Sequence, residues 1–285
     1  MYLILDACTV LNLLQVDLIS NSDDEYNLNY NYIKRVKTID SFQIQITEKV
    51  LEEIKKNYSK NSNIVKKNLF LKTYIEKKLH GLVDYTIDKN DFECALVFTK
   101  KVTKYSKDNG ELHSTSYALY LNKYLKNTVL NSYFITDDDG AIDDFENFFK
   151  INLLGQILTT IDLLLILETY NIITLSGIFR FSSDLKKQYI KDYSNLLKEM
   201  EALQKSQLPF KESSFLTKLY ENINSLDFEK VKTDIESPLY ANIKRKQPSI
   251  DTLLQNILKD DLKKVDILDA KIEEIKSKYW TMDKI

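Results

Sequence analysis

The chain is short of the residues that punctuate and cross-link a fold. Only 5 glycines and 3 prolines occur in 285 residues, so tight turns and extended linkers are few and helices are favoured. Cys8 and Cys94 are too few for a disulfide framework and fit a reducing cytosol. His80 and His113 are too few and too isolated for zinc or for histidine-based general-base chemistry. Charge of one sign is missing as well. A net charge of −2 excludes bulk binding of polyanions by the chain as a whole. Long apolar runs are also absent. The richest late stretch, Ile161 to Leu167, contains Asp162 and falls well short of the roughly 20 apolar residues of a membrane span. The N-terminal apolar stretch has no basic flank and is interrupted by Asp6 and Asn12, unlike a secretory leader. No Gly-rich phosphate loop or dinucleotide fingerprint occurs. These absences lead to the expectation of a cytoplasmic protein with no membrane partner.

What is present has the pattern of two regions. Strands are expected at 2–6, 42–46, 82–87, 129–136 and 150–154. Helices are expected at about 47–57, 62–79, 90–106, 110–126, 140–149 and 156–170. Strands alternating with helices argue for an α/β fold, a parallel sheet flanked by helices. Cys94, in an apolar helical stretch, reads as core, and the polar segment from Ser20 to Tyr32 reads as an exposed loop leading into a short helix. After about residue 175 the strand signals fade. Helices are expected over 183–205, ending before Pro209, and over 211–234, ending before Pro238. A third starts with Ser249 as its N-cap. Val265, Leu268, Ile272, Ile275 and Tyr279 in that last helix form an apolar stripe, which a packed face explains better than a coiled coil of so few heptads. The expected organisation is a domain over 1–178 followed by a mostly helical C-terminal region over 179–285.

The acidic residues carry the chemistry. Tyr2-Leu3-Ile4-Leu5 runs straight into Asp6, and the apolar run Val129–Ile135, interrupted by Asn131 and Ser132, runs into Thr136-Asp137-Asp138. In a parallel sheet both strands deliver their acids to the same crevice. Like charges held that close need a cation or a proton, so the pattern suggests a Mg²⁺ or Mn²⁺ site. Two further acids sit at suitable places. Glu53 lies on the helix after the second strand, and Glu111, preceded by Gly110, opens another helix. Taken singly, Glu53 reads as a solvated helix face and Glu111 as an acid favoured by the helix dipole.

Taken together and in order, these elements resemble the PIN-domain nucleases. Asp6-Ala7-Cys8-Thr9-Val10-Leu11-Asn12-Leu13-Leu14 is similar to the family's opening Asp-x-[Ser/Thr]-x-Leu-Ile element, with Thr9 three after the aspartate. Val50-Leu51-Glu52-Glu53-Ile54 resembles its Val-x-x-Glu-[Leu/Ile] helix and points to Glu53 rather than Glu52. Gly110-Glu111 resembles the Gly-Glu-Ala element, and Ile135-Thr136-Asp137-Asp138 the [Leu/Ile]-Thr-x-Asp terminus. Ile151 to Gly155 and the helix after it are similar to the last strand and helix of one PIN subgroup. The resemblance covers about residues 1–175, with a long insertion at 17–45 and a helical tail that the minimal toxin-type family fold lacks.

The resemblance implies a PIN-type, metal-dependent endoribonuclease that hydrolyses RNA, single-stranded or in loops. Asp6, Glu53, Glu111 and Asp138 would be the catalytic and metal-holding residues, with Asp137 as an alternative ligand. Hard oxygen donors of this kind select Mg²⁺ or Mn²⁺ over zinc. Thr9 and Thr136 would support the carboxylates, although ordinary capping of a strand end or turn explains them equally well. The rival implication is a catalytically inactive PIN-like scaffold that binds RNA or docks a protein; the four filled acidic positions favour the enzyme. Eight lysines between Lys55 and Lys78, against Glu76 alone, offer a phosphate-tracking surface. Lys55, Lys56, Lys66, Lys67 and Lys72 are its nucleic-acid-binding candidates, and a solvated helix face is the equal alternative. The helical C-terminal region leaves a regulatory protein or self-association as further partner classes.

Overall fold

The computed structural model describes residues 1–20, 33, 39–60, 74–123, 131–190 and 192–282, and divides them into two compact units, Met1–Ile178 and Phe179–Ile285. The first is α/β. Four parallel strands, β1 (Tyr2–Leu5), β2 (Gln43–Gln45), β3 (Ser132–Ile135) and β4 (Gly155–Leu158), lie in the order β2-β1-β3-β4. Leu5 pairs in register with Ile135, and Ile135 with Leu158. The two central strands are buried on both faces, which is why they read as continuous apolar runs rather than alternating ones.

Helices α1 (Ala7–Ser20), α2 (Glu48–Lys60), α3 (Lys89–Thr103), α4 (Gly110–Lys123), α5 (Asp139–Ile151) and α6 (Thr160–Thr169) flank this sheet. Ile4 and Phe134 face a cluster that includes Leu112 and Tyr117 of α4 and Phe145, Phe148 and Phe149 of α5. Strand alternation turns Leu3, Leu5 and Ile135 to the other face, where all three are buried. Helix α1 was not among the expected helices. Ala7, Val10, Leu11, Leu13 and Leu14 are buried nearly all round it, so no amphipathic stripe marks it in the sequence.

Two expected strands are absent. Residues 82–87 form none, because Leu79–Leu82 is a 3₁₀ turn and Val83 makes only a single bridge to Ile46. The Asp84 carboxylate then accepts from Thr86 N–H (2.9 Å) and its hydroxyl (2.6 Å), closing a side-chain turn that ends the extended run. No strand forms over 150–154; one forms instead over Gly155–Leu158, taking the first residues of the helix expected over 156–170. Helix α5 continues through Ile151, Leu153 turns left-handed (φ 50°), and Gly155 enters the sheet at φ 138°. A Cβ there would lie 1.8 Å from the Ser132 carbonyl oxygen, so only glycine opens β4. Cys94 is exposed rather than core, because α3 buries only the stripe through Ala95 and Thr99. Of the helix expected over 62–79, residues 61–73 lie outside the described residues and Tyr74–Lys78 is a π turn. The loop expected between Ser20 and Tyr32 also lies almost wholly outside them.

The second unit is all helical among the described residues: the end of α7 (Leu175–Tyr189), then α8 (Tyr193–Gln204), α9 (Phe210–Asn224), α10 (Phe228–Ile235), α11 (Pro238–Lys246), α12 (Pro248–Asn256) and α13 (Leu262–Met282). The helices expected over 183–205 and 211–234 are each broken in two. Leu226 is left-handed (φ 61°), and Asp227 then caps α10 by accepting from Lys230 N–H (3.2 Å). The prolines act as helix starters. Ser237 caps α11 with Pro238 at its first position, and Pro248 opens α12. Ser249 is therefore not an N-cap; its hydroxyl donates to Glu199 Oε2 (2.8 Å). Val265, Leu268, Ile272 and Ile275 are buried as a stripe along α13. No described helix is long and apolar enough to cross a membrane.

Candidate functional site

From β1 the chain moves to β2 on one side of the sheet and later to β3 on the other. The strand order therefore reverses between β1 and β3, and ligands of open α/β sheets bind in the crevice at the carboxyl ends of such a pair. Asp6 follows β1 there, and Thr136-Asp137-Asp138 follows β3.

Thr136 ties the two strand ends together. Its hydroxyl donates to Asp6 Oδ2 (3.2 Å) and accepts from Asp138 N–H (3.2 Å). Asp6 is only 4% exposed, and burial, reinforced by the charge of Glu111, pushes its pKa up to about 6. Cys8 contributes to the same cluster. Its thiol donates to Asp6 Oδ2 (3.1 Å), lies 3.5 Å from the Thr136 hydroxyl and accepts from Asp137 N–H (3.3 Å). Burial and the neighbouring Asp6 push that thiol well above its ordinary range, so it stays a protonated donor. Thr9, fully buried, donates to the Ile135 carbonyl (3.0 Å) and so clasps α1 to the end of β3.

The two neighbouring aspartates differ. Asp137 Oδ1 accepts from Thr160 N–H (2.8 Å), and Oδ2 accepts from Asn12 Nδ2 (2.7 Å) and from the Thr160 hydroxyl. Both oxygens are thus committed to joining β3, α1 and the start of α6, and desolvation pushes the Asp137 pKa up. Asp138 is exposed and caps α5, with Oδ1 accepting from Gly140 N–H (2.8 Å) and Ala141 N–H (3.2 Å). Its Oδ2 has no hydrogen bond among the described residues.

Glu53 and Glu111 meet on the next elements. Helix α2 packs against α4. Glu53 is half-buried on α2 while Glu52 is exposed, and Gly110 N–H donates to Glu53 Oε1 (2.9 Å). A Cβ at Gly110 would stand 2.6 Å from Glu53 Oε2, so the Gly-Glu pair is needed for this close approach. Glu111 Oε2 accepts from the Tyr105 hydroxyl and from Asn109 Nδ2 (3.0 Å). Beside them Asp108 accepts from Lys49 (3.0 Å) and lies 2.9 Å from His113 Nε2, and these two partners hold its carboxyl down at about 2.

Asp6 and Thr136 are therefore bonded, Asp138 is linked to them through Thr136, Asp6 feels the charge of Glu111, and Glu53 is bonded to the neighbouring Gly110. As the side chains stand, no three His, Cys, Asp or Glu among the described residues are close enough to hold a metal ion. The donor chemistry still fits a hard cation. None of Asp6, Glu53, Glu111 and Asp138 forms an ion pair with a lysine or arginine among the described residues, although Lys49 lies within the field of Glu53, and carboxylates gathered without a cation repel one another.

The lysine candidates divide. Lys55 bonds His80 Nε2 (2.9 Å), Lys56 is exposed on α2, and Lys66, Lys67 and Lys72 lie outside the described residues. Cys8, Asn12, Tyr105, Asn109 and Thr160 were not legible as site residues, because polar side chains that act through neighbours carry no motif of their own.

Set against protein-family models, curated proteins and solved structures, the chain matches none. The resemblance to PIN-domain nucleases thus rests on the four acidic elements and their order.

Proposed function

We propose that the α/β unit is a metal-dependent endoribonuclease of PIN type. One observation carries the reading. Asp6, a carboxylate 4% exposed at the β1/β3 switch point, has its pKa pushed up by burial and by Glu111, and no described lysine or arginine pairs with it. Such a group is costly unless a proton or a cation joins it. Asp6, Glu53, Glu111 and Asp138 would hold Mg²⁺ or Mn²⁺, each retaining at least one oxygen not committed to capping or Gly110. A divalent ion held there supplies Lewis acidity toward a phosphodiester and neutralises charge on the departing oxygen. Thr136 and Cys8 orient Asp6; Asp137 buckles the strand ends to α1 and α6 and is assigned a structural part rather than a ligand's. RNA, single-stranded or looped, is the proposed substrate, with the lysines of 55–78 as its phosphate track.

The decisive experiment is cleavage of single-stranded RNA by the purified chain in Mn²⁺ or Mg²⁺, with EDTA and with Asp6→Asn as controls. Cleavage that needs the metal and Asp6 is expected. Asp138 favours the second reading, a scaffold without turnover, since its Oδ1 already caps α5. Binding of RNA with no cutting of RNA or DNA in any divalent metal would establish that reading instead.

A further inference from the structure

The loop between α3 and α4 has more built into it than a helix connection needs. Lys104 starts it in the left-handed region (φ 57°), which turns Tyr105 inward to 8% exposure. The Tyr105 ring packs against Phe145 of α5, the helix that Asp138 caps, at 4.8 Å between centroids. Its hydroxyl donates to Glu111 Oε2. Asn109 Nδ2 donates to the same carboxylate oxygen (3.0 Å) and to the Tyr105 hydroxyl (2.9 Å). The protons balance: the amide has two, the phenol gives its one and accepts one. Helix capping accounts for Asn109 Oδ1, which accepts from Leu112 N–H (3.2 Å). It does not account for two donors converging on one oxygen of Glu111. The next residue, Gly110, fixes Glu53 Oε1 through its N–H. Within seven residues, Tyr105 and Asn109 thus bond Glu111, Gly110 bonds Glu53, and the Tyr105 ring braces the helix behind Asp138.

We infer that the segment from Lys104 to Gly110 is the positioning element of the acidic site, with Tyr105 and Asn109 as positioning residues that lock one oxygen of Glu111 and leave Oε1 for a divalent cation. This rests on the metal-dependent nuclease reading. Partners that orient a ligand in this way are each worth about 10–100-fold in metal affinity or activity.

The test is titration of the full chain with Mn²⁺ alone, following free Mn²⁺ by electron paramagnetic resonance. Tyr105→Phe removes the hydroxyl and keeps the ring on Phe145. Asn109→Ser keeps a capping oxygen and removes Nδ2. Each is expected to weaken Mn²⁺ binding about 10-fold or more and to lower kcat, while KM for RNA stays near wild type. Wild-type Mn²⁺ affinity in both variants would overturn the inference, even if activity fell. Should Tyr105→Phe fail to fold, Asn109→Ser decides alone. Failure of the parent reading looks different: the wild-type chain binds no Mn²⁺, or Asp6→Asn binds it as tightly as wild type, and either result removes the inference with it.

Discussion

The buried and half-buried acids of the helical unit and the buried Asp6 of the α/β unit are treated in opposite ways. In the helical unit each is answered by the protein itself. Asp234, 5% exposed, accepts from Lys218 Nζ (2.7 Å) and Asn222 Nδ2 (2.7 Å). Asp251 accepts from the Tyr240 hydroxyl (2.8 Å) and pairs with Lys244 (2.8 Å). Glu212 pairs with Lys246 (2.5 Å) and accepts from Asn242 (3.3 Å). In the α/β unit Asp6 is equally buried, but its side-chain donors are a thiol and a hydroxyl, and the nearby charge of Glu111 has its own sign. Charges that only hold a fold together are neutralised from within. A carboxylate left short of a cation is the mark of a group kept for something that arrives from outside.

The largest expected effect concerns turnover. Asp6→Asn and Asp138→Asn keep shape and remove charge, and each should reduce Mn²⁺-dependent RNA cleavage by roughly 10²-fold or more, the scale seen when one charge-stabilising group is lost from an active site. Asp234→Asn in the helical unit should leave the rate of folded protein alone. Equal losses from both units, measured at matched folded fractions, would erase the distinction drawn between them.

Stability in a chelator should separate the units by sign. Asp6 has its native pKa raised, to about 6 from 3.8. Between those values the folded chain holds the proton more tightly than the unfolded one. Its contribution is therefore full below about pH 4, falls as pH rises through that window, and is flat above about pH 6. That gap corresponds to roughly 3 kcal/mol, which Asp6→Asn should recover at pH 7 without metal. Mn²⁺ at about 1,000 times its Kd should reverse the order, since it stabilises only the competent chain, by about 4.1 kcal/mol. Asp234→Asn should instead destabilise at neutral pH, by about 1–3 kcal/mol, because it removes the charge that Lys218 and Asn222 share and leaves them short of an acceptor. Chemical denaturation of both variants with and without EDTA reads the signs, and a destabilised Asp6→Asn in EDTA would contradict the argument.

How much of this was legible beforehand follows the same physics. The strands ending at Leu5 and Ile135 were readable because burial on both faces leaves mainly apolar residues, Tyr2–Leu5 and Tyr133–Ile135, and the acids after them were readable because they end those runs. Glu53 could be picked over Glu52 only through a motif, and the structure places Glu52 in solvent. Readability failed where local side-chain chemistry overrides pattern. The Asp84 turn stops an apolar run from becoming a strand, and Gly155 starts one five residues later than the run suggests. Proline misled at one point in the helical unit: Pro248 is itself the first residue of α12, where no N–H is needed, so the Ser249 expected as N-cap falls inside the helix. The neighbours of the acids were not readable at all. Tyr105 and Thr160 sit 6 and 23 residues from the acids they bond, and only the fold brings them together.

The smallest effect is expected from the lysines. If the 55–78 run tracks a phosphate backbone, neutralising Lys66, Lys67, Lys72 and Lys77 should weaken RNA binding and flatten its salt dependence. On single strands each phosphate contact contributes about −0.7 to the slope of log K against log salt, so losing two contacts would move it by about 1.4. If the run is a solvated face, folding stability should shift by no more than about 0.5 kcal/mol, the usual ceiling for substituting surface charges. Lys55 belongs in a separate variant, since its bond to His80 gives it a local part of its own. The comparison between the units enters here as well. Lys218, Lys244 and Lys246 are each paired to an acid of their own unit, so neutralising them should cost stability and leave the RNA salt slope where it was. A slope that responds to those three lysines and not to the 66–77 set would move the RNA path to the helical unit.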